Sequence, residues 1–125
     1  MSVLEIGQKM VSLVNQGRDG EETFVNEFYA SNIVSIEGAD SDDMPARIEG
    51  IDAIRGKHNW WYDNNTVHNT TAVGPYVGNR PDQFVVQFTL DMTPNGGERQ
   101  QLTEVGLFTV ADGKIAQEEY LYLMG

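Results

Sequence analysis

Glu104 and Glu118 are the two residues whose types and positions best suit acid–base chemistry. They lie in the last two runs of alternating apolar and polar residues, a pattern typical of neighbouring antiparallel strands. If they share one face, they are diagonal neighbours with backbones roughly 7–8 Å apart. Two carboxylates so close in a partly dry site do not both ionise easily, so we expect one pKa to rise.

The turn between these strands decides whether the two glutamates share a face, and two geometries are open. A three-residue loop over 111–113 puts Glu104 and Glu118 on the same face. A two-residue turn at Asp112-Gly113 moves Glu118 to the other face. We favour the three-residue loop because a left-handed glycine after a type I turn is a common hairpin solution. The alternative leaves the glutamates solvated on an outer face.

His58 and His68 are the two histidines of the chain and the next candidates for proton transfer. His68 falls in a predicted strand, where alternation would direct it toward Glu104 or Glu118 and complete an acid–base pair. His58 falls in a predicted helix and either faces water or packs on Trp61. A single inward histidine is more often a hydrogen-bonded core residue than a catalyst.

The sequence contains none of the short motifs that hold metals, phosphates or dinucleotides. H-E-x-x-H, G-x-G-x-x-G, the phosphate loop and the nucleophile elbow are all absent. Asp40-Ser41-Asp42-Asp43 lacks the glycine and the terminal glutamate of a calcium loop. The chain has no cysteine, which excludes disulfides, thiolate catalysis and Cys-ligated zinc. We therefore expect neither a metal site nor a cofactor.

The elements that must position these residues are three helices and a set of strands. Apolar residues at helical spacing predict a first helix over 3–16, and Asp19 with Glu22 predicts the capping box of a second. A short strand is predicted over 33–37, followed by a third helix after residue 50. A period of two then predicts strands at about 66–73, 84–93, 101–110 and 114–122.

Short connections make sequential strands antiparallel. The order of elements predicts an α+β sandwich, with three helices on one face of a curved sheet and a hollow between the two layers. Aromatic residues either wall that hollow or simply pack in the core. The candidates for its wall are Tyr29, Trp60, Trp61, Phe108, Tyr120 and Tyr122.

The chain is short and strongly acidic. Its 125 residues suit one domain, and eight Lys and Arg against 19 Asp and Glu give a net charge of −11. That charge argues against nucleic acid and anionic membranes as partners. No basic-then-apolar run opens the sequence and no apolar run comes near the ~20 residues of a membrane span, so we expect neither a leader nor a membrane anchor. We expect a cytoplasmic protein with a single domain over 1–125.

Six segments resemble one known family over nearly the whole chain. They are Phe28-Tyr29-Ala30, Ile33-Val34-Ser35-Ile36-Glu37, Gly50-Ile51-Asp52-Ala53-Ile54-Arg55-Gly56, Asp82-Gln83-Phe84-Val85-Val86, Glu104-Val105-Gly106-Leu107-Phe108 and Asp112-Gly113-Lys114-Ile115. The chain resembles the SnoaL-like branch of the nuclear transport factor 2-like superfamily, which also contains ketosteroid isomerase and scytalone dehydratase. The resemblance implies a cone-shaped, cystatin-like α+β fold with a curved mixed sheet, three helices from the N-terminal half on its concave face, and a deep pocket.

The resemblance assigns only some of the isomerase's catalytic residues to positions in this chain. Glu37 matches the general-base carboxylate of the isomerase. Gly106 stands where the isomerase has a neutral, donating Asp, and no Tyr on the first helix matches its other donor, so steroid isomerisation is not expected. In SnoaL-like cyclases an acidic residue helped by a His moves the proton of an aldol ring closure. Glu104, Glu118 and His68 would fill such roles here.

The resemblance also assigns the faces of the strand at 84–93 and implies a homodimer. It places Gln87 toward the pocket and puts four apolar residues on the outer face, where they would be exposed in a monomer. A second copy related by a two-fold axis would cover them. The four residues are Phe84, Val86, Phe88 and Leu90.

Three functions are compatible with these observations. The first is an enzyme that takes a small, apolar carbonyl compound, in which Glu37, Glu104 or Glu118 removes a proton while His68 or a tyrosine donates toward the oxygen. The second is a non-catalytic module that binds a small molecule, which the missing oxyanion donors favour. The third is a dimeric interaction protein whose aromatic residues fill the hollow.

Overall fold

Three helices and six strands make up the fold. The computed structural model describes residues 1–38 and 45–122, so the predicted acidic segment 40–43 lies outside the described residues. The helices are α1 (Val3–Val14), α2 (Arg18–Phe28) and α3 (Ile51–Asn64). The strands are β1 (Tyr29–Ile36), β2 (Arg47–Glu49), β3 (Asn65–Tyr76), β4 (Gln83–Pro94), β5 (Gln100–Ala111) and β6 (Lys114–Tyr122).

The strands form one mixed sheet in the order β2-β1-β6-β5-β4-β3. β1 and β6 run parallel, whereas the other neighbouring strands run antiparallel. Together with the three helices packed on this open, curved sheet, that confirms the predicted α+β class. Because β1 lies beside β6, Ser35 pairs with Glu118, and Glu37 follows at the end of the same strand.

The first helix is held by an apolar stripe and by a cap at its start. Ile6, Met10 and Leu13 are buried in the core. The Ser2 hydroxyl accepts a hydrogen bond from the Glu5 amide at 3.1 Å, and the Glu5 carboxylate accepts one from the Ser2 amide at 3.0 Å. This reciprocal pair is a capping box.

The capping box predicted at Asp19 and Glu22 is wrong. α2 begins two residues earlier than predicted, at Arg18, and its N-cap is Gly17 with a φ of +97°, a conformation that favours glycine. Asp19 therefore lies inside the first turn, where its charge still interacts favourably with the helix dipole.

The two faces of β4 are the reverse of those implied by the resemblance. Phe84, Val86 and Phe88 are buried in the core beneath the helices, and Phe88 and Leu90 line the internal cavity. The prediction that these four residues form an exposed dimer face is therefore wrong. Strand alternation places Gln87 on the opposite face, so its predicted pocket position is wrong as well. The cause is burial, because the large apolar side chains gain most from the face that packs under the helices.

The turn between β5 and β6 is the two-residue form. Ala111 pairs with Lys114, and Asp112 and Gly113 have φ values of +53° and +75°. Positive φ at both central residues is the type I′ geometry. The three-residue loop that we favoured is therefore wrong.

A β-bulge nevertheless brings the two predicted glutamates to one face. The register shifts so that Val110 pairs with Ile115 but Thr109 pairs with Gln117, which leaves Ala116 as an extra residue in β6. One extra residue reverses the facing of every later side chain in that strand. Glu118 consequently lies on the same face as Glu104, as the sequence predicted.

Candidate active site

A cavity of about 690 Å³ lies between the helices and the inner face of the sheet. Its wall is largely apolar, with several aromatic rings and a few ionisable side chains, the usual form of a small-molecule site. The aromatic residues therefore leave the hollow open instead of filling it. Six residues named from the sequence lie in this wall, namely Tyr29, Trp60, Trp61, Phe108, Tyr120 and Tyr122.

Glu104 is a partly buried carboxyl in the cavity wall. It pairs across the sheet with Phe88 of β4 and Tyr122 of β6. No residue in the described ranges donates a hydrogen bond to it. Burial, followed by the charge of Glu37, raises the pKa of Glu104 to about 7, while Lys57 opposes the rise. Glu104 thus combines a raised pKa with the lack of a donor among the described residues.

Lys57 of α3 is the centre of the polar cluster behind this wall. Its ammonium donates to Ser35 Oγ at 2.8 Å, to Glu37 Oε1 at 2.8 Å and to Glu118 Oε2 at 3.1 Å. An ammonium has three protons, so Lys57 has none left for a ligand. Burial alone would lower its pKa, but the charges of Glu118 and Glu37 raise the pKa above the ordinary value, and Lys57 stays charged.

Sequence reasoning missed Lys57, although a signal was present. Lys57 lies three residues after the buried Ile54 and four before Trp61, which is the spacing of the inward face of α3. A charged residue in such an apolar stripe indicates a buried partner of opposite charge.

Glu118 is the buried counter-ion of Lys57. Its side chain is 0% exposed and does not line the cavity. Its carboxylate accepts hydrogen bonds from Tyr29 and, at 3.0 Å, from Ser35. Burial would raise the pKa of Glu118, but the charge of Lys57 and these hydrogen bonds bring the pKa below its ordinary value. This carboxylate is ionised and fully satisfied.

Glu37 lines the cavity but is held at both oxygens. Oε1 accepts from Lys57, and Oε2 accepts from the Tyr122 hydroxyl at 3.1 Å. The same hydroxyl accepts a hydrogen bond from the Gly38 amide at 3.0 Å. Its side chain is 24% exposed. Glu37 is therefore an anchored carboxylate at the edge of the cavity.

His68 does not join these residues. It lies at the register shift of β3 between Val67 and Asn69, and its exposed ring contacts Thr93 Oγ1 at 2.8 Å. The prediction that His68 meets Glu104 or Glu118 is wrong, because this bulge interrupts the alternation on which it depended.

His58 lines the cavity instead. Its Nδ1 lies 3.4 Å from Glu21 Oε1 on α2, and Glu21 also accepts from the Tyr62 hydroxyl at 3.3 Å. Burial raises the pKa of Glu21, while His58 and Tyr62 lower it in part. The Glu21–His58 pair forms the helical wall that faces the sheet.

Gly106 leaves room for two aromatic rings to pack closely in this wall. A Cβ at this position would lie 2.6 Å from the ring of Phe108 and 3.1 Å from that of Phe88. The space beside the glycine is therefore occupied by aromatic rings, and the donor that ketosteroid isomerase has at the matching position has no equivalent here.

The described part of the chain contains no group of three or more His, Asp or Glu side chains that could hold a metal ion. None of its helices is long and apolar enough to cross a membrane. The chemistry that this arrangement supports is proton transfer by Glu104, a cavity carboxyl to which no described residue donates a hydrogen bond.

Comparison with known proteins agrees with this architecture. No protein of curated function matches the chain. A proposed SnoaL-like polyketide cyclase from Mesorhizobium loti is 36% identical, with a TM-score of 0.88 over 98% of this chain and 100% of that one. A proposed isomerase from Bacillus subtilis shares the fold at 18% identity, with a TM-score of 0.74 over 95% of this chain and 84% of that one. The SnoaL-like domain family matches residues 1–122, and this chain therefore belongs to that family.

Proposed function

We propose that this protein transfers a proton on a small, largely apolar carbonyl compound, as an isomerase, a cyclase or a lyase does, with Glu104 as the catalytic carboxyl. The observation that carries the proposal is that Glu104 is a cavity-lining carboxyl without a hydrogen-bond donor among the described residues. A carboxyl with a pKa close to the working pH is present in both forms, so it can accept and return a proton.

The other carboxyls suit supporting roles. Glu118 is fully buried, and both oxygens of Glu37 are engaged. Lys57 keeps Glu118 ionised, and the charge of Glu37 is one cause of the raised pKa of Glu104. Because the pKa of Tyr120 lies well above its ordinary value, its phenol stays neutral. We place it as the donor toward the carbonyl oxygen.

Hydrogen–deuterium exchange at the carbon beside a carbonyl tests this proposal without the natural substrate. A panel of neutral bicyclic and tricyclic ketones, beginning with 2-tetralone, is incubated with the protein in D₂O and followed by NMR. We expect accelerated exchange, with a rate that rises with pH about a midpoint near 7. Glu104→Gln should lower it by about 100-fold or more.

Glu119→Gln is the matched control, because it removes the same charge from the adjacent, outer face of β6. It should exchange the ketones as fast as the wild type. If no ketone exchanges faster with the wild type than with Glu104→Gln, the cavity does not perform this chemistry and is a binding module.

We also propose that the protein forms a homodimer through the outer face of the sheet. Cross-strand pairs put apolar residues side by side there, Val85 with Leu107 and Val105 with Leu121. Leu121 is 56% exposed. Apolar side chains on the outer face of a sheet favour a partner, and a two-fold copy offers the same residues.

A further inference from the structure

We propose that the cavity selects a ligand that carries a positive charge, an aliphatic amine on an aromatic or alicyclic skeleton that is protonated at neutral pH, with Glu104 as its counter-ion. The inference rests on the proposed function and names the charge class of its substrate, a carbonyl compound that also bears a basic amine. Four features of the cavity support it.

The first feature is the balance of charge in the wall. Glu21, Glu37 and Glu104 line the cavity, and Lys57 is the one lysine or arginine that does so in the described ranges. The three protons of Lys57 are already donated to Ser35, Glu37 and the buried Glu118. An anionic ligand would therefore meet carboxylates and no free lysine or arginine donor, which makes its transfer from water unfavourable.

The second feature is the setting of Glu104 between aromatic rings. Its cross-strand partners are Phe88 and Tyr122, and directly opposed side chains have Cβ atoms about 4.5–5.5 Å apart. The N–H groups of a ligand ammonium beside Glu104 would donate hydrogen bonds to the carboxylate. The CH groups next to the ligand nitrogen would contact these rings.

The third feature is that a cation already occupies this wall. The Lys57 ammonium lies 4.9 Å from the centroid of the Tyr120 ring. Tyr120 pairs with Gly106, two residues from Glu104 on the same face. The wall therefore already holds one cation against an aromatic ring and beside carboxylates.

The fourth feature is the missing donor at Glu104. Glu37 and Glu118 each accept hydrogen bonds at both oxygens, whereas no described residue donates to Glu104. A partly buried carboxylate is stabilised most by charge-assisted hydrogen bonds, and a protonated amine would supply them.

Binding of a cation must then depend on pH. Below about 7 Glu104 holds a proton that the ligand has to displace. The groups that face this site from the packed elements are Glu21 of α2, Glu37 after β1, Lys57 and His58 of α3, and Glu118, Tyr120 and Tyr122 of β6. Affinity for the cation should rise between pH 5.5 and 8, and binding at the acidic end should release a proton.

Three ligands with one skeleton and different charges test the inference by calorimetry. They are 2-aminotetralin as the cation, 2-tetralol as the neutral analogue and tetralin-2-carboxylate as the anion. At pH 7.5 we expect the amine to bind about tenfold or more tightly than the alcohol, and the carboxylate to bind most weakly. At pH 6, titrations in two buffers of different ionisation enthalpy should show proton release with the amine.

Glu104→Gln should remove both the preference for the amine and the proton release, whereas Glu119→Gln should keep both. Thermal unfolding of each variant establishes that it is folded. The inference is overturned if the alcohol or the carboxylate binds the wild type as tightly as the amine, or if the affinity for the amine does not change with pH.

The ketone exchange experiment separates this inference from the proposed function. If the ketones exchange but the amine has no advantage, the site is an acid–base catalyst for neutral compounds, and the charge assignment fails. If the amine binds as expected but no ketone exchanges, the charge assignment stands and the catalytic proposal fails.

Discussion

Glu104 and Glu118 are glutamates on the same face of one hairpin, yet their surroundings give them opposite properties. Glu118 is enclosed by Lys57, Ser35 and Tyr29 and stays ionised. Glu104 faces the cavity without a donor among the described residues, and burial raises its pKa to about 7. The residue types alone predicted that one pKa would rise, whereas the contacts of α3 decide which one.

Replacing Lys57 should destabilise the fold strongly. Lys57→Met leaves the carboxylate of Glu118 buried without its cation, a change that costs roughly 3–5 kcal/mol. Urea unfolding measures the loss. The double variant Lys57→Met/Glu118→Gln should recover more than half of it, because the amide still accepts from Tyr29.

Lys9→Met is the control, because it removes an exposed lysine of α1 and should change the stability by less than about 0.5 kcal/mol. Equal stabilities of Lys57→Met and Lys9→Met would show that the Lys57–Glu118 pair contributes nothing.

Glu104 should also shape the dependence of stability on pH. Its folded pKa of about 7 lies above the ordinary value of 4.5. Between these values the folded state holds a proton that the unfolded chain has lost. This contribution is fully present below pH 4.5 and is lost as pH rises through 7. The melting temperature of the wild type minus that of Glu104→Gln should therefore fall between pH 5 and 8, and parallel curves would contradict this.

The sequence predicts which carboxyls and aromatic residues lie on the inner face of the sheet, but it does not predict their hydrogen-bond and ion-pair partners. The inward position of Glu104 follows from alternation within β5. The ion pairs of Lys57 depend on the packing of α3 against β1 and β6, which no local pattern records. His68 was misplaced because a bulge in β3 shifts the register at that residue.

At the scale of elements, the bulge at Ala116 is the feature that builds the site. The turn alone would direct Glu118, Tyr120 and Tyr122 to the outer face. Deleting Ala116 alone removes only the extra residue and should keep Glu118 and the two tyrosines inward. Deleting Ala116 and Gln117 together should instead force the strand either to expose these residues or to lose its pairing with β5. We expect loss of cooperative unfolding, measured by circular dichroism and thermal melting.

Deletion of Gly78 is the matched control, because it shortens an exposed loop by one residue, and such loops tolerate length changes. A folded variant that lacks both Ala116 and Gln117 and keeps the Glu104 environment unchanged would contradict the assigned role of the bulge.

The elements themselves were largely predictable. Three helices and five of the six strands follow from periodicity and turn residues, and the boundaries differ by a few residues. The three-residue β2 is too short to leave a periodic signal. The predicted three-residue turn is wrong, but the prediction that Glu104 and Glu118 share a face is confirmed, because a bulge in β6 compensates for the two-residue turn.

At the scale of the whole molecule, the apolar residues of the sheet are divided between a core face and an outer face. β4 shows how this division could be predicted. Phe84, Val86 and Phe88 form the more apolar face of their strand, and burial alone would have placed them inward. The resemblance assigned them outward instead, so the residues themselves were the better guide.

The proposed homodimer is tested by mass in solution. Light scattering should give about twice the 13.9 kDa of one chain. Leu121→Asp places a charge in the outer face and should shift the protein toward the monomer. Leu4→Asp changes an exposed leucine of α1 and should leave the dimer intact. A wild-type protein that is monomeric at all accessible concentrations would contradict the proposal.

The central claim is that Glu104 is the carboxyl that exchanges its proton near neutrality. Carbon-13 NMR of the glutamate carboxyls over pH 3–9, assigned by comparison with Glu104→Gln, measures this directly. We expect a midpoint near pH 7 for Glu104, whereas Glu118 should keep a carboxylate signal at pH values below its ordinary pKa. A Glu104 midpoint near the unperturbed value of about 4.3 would contradict it.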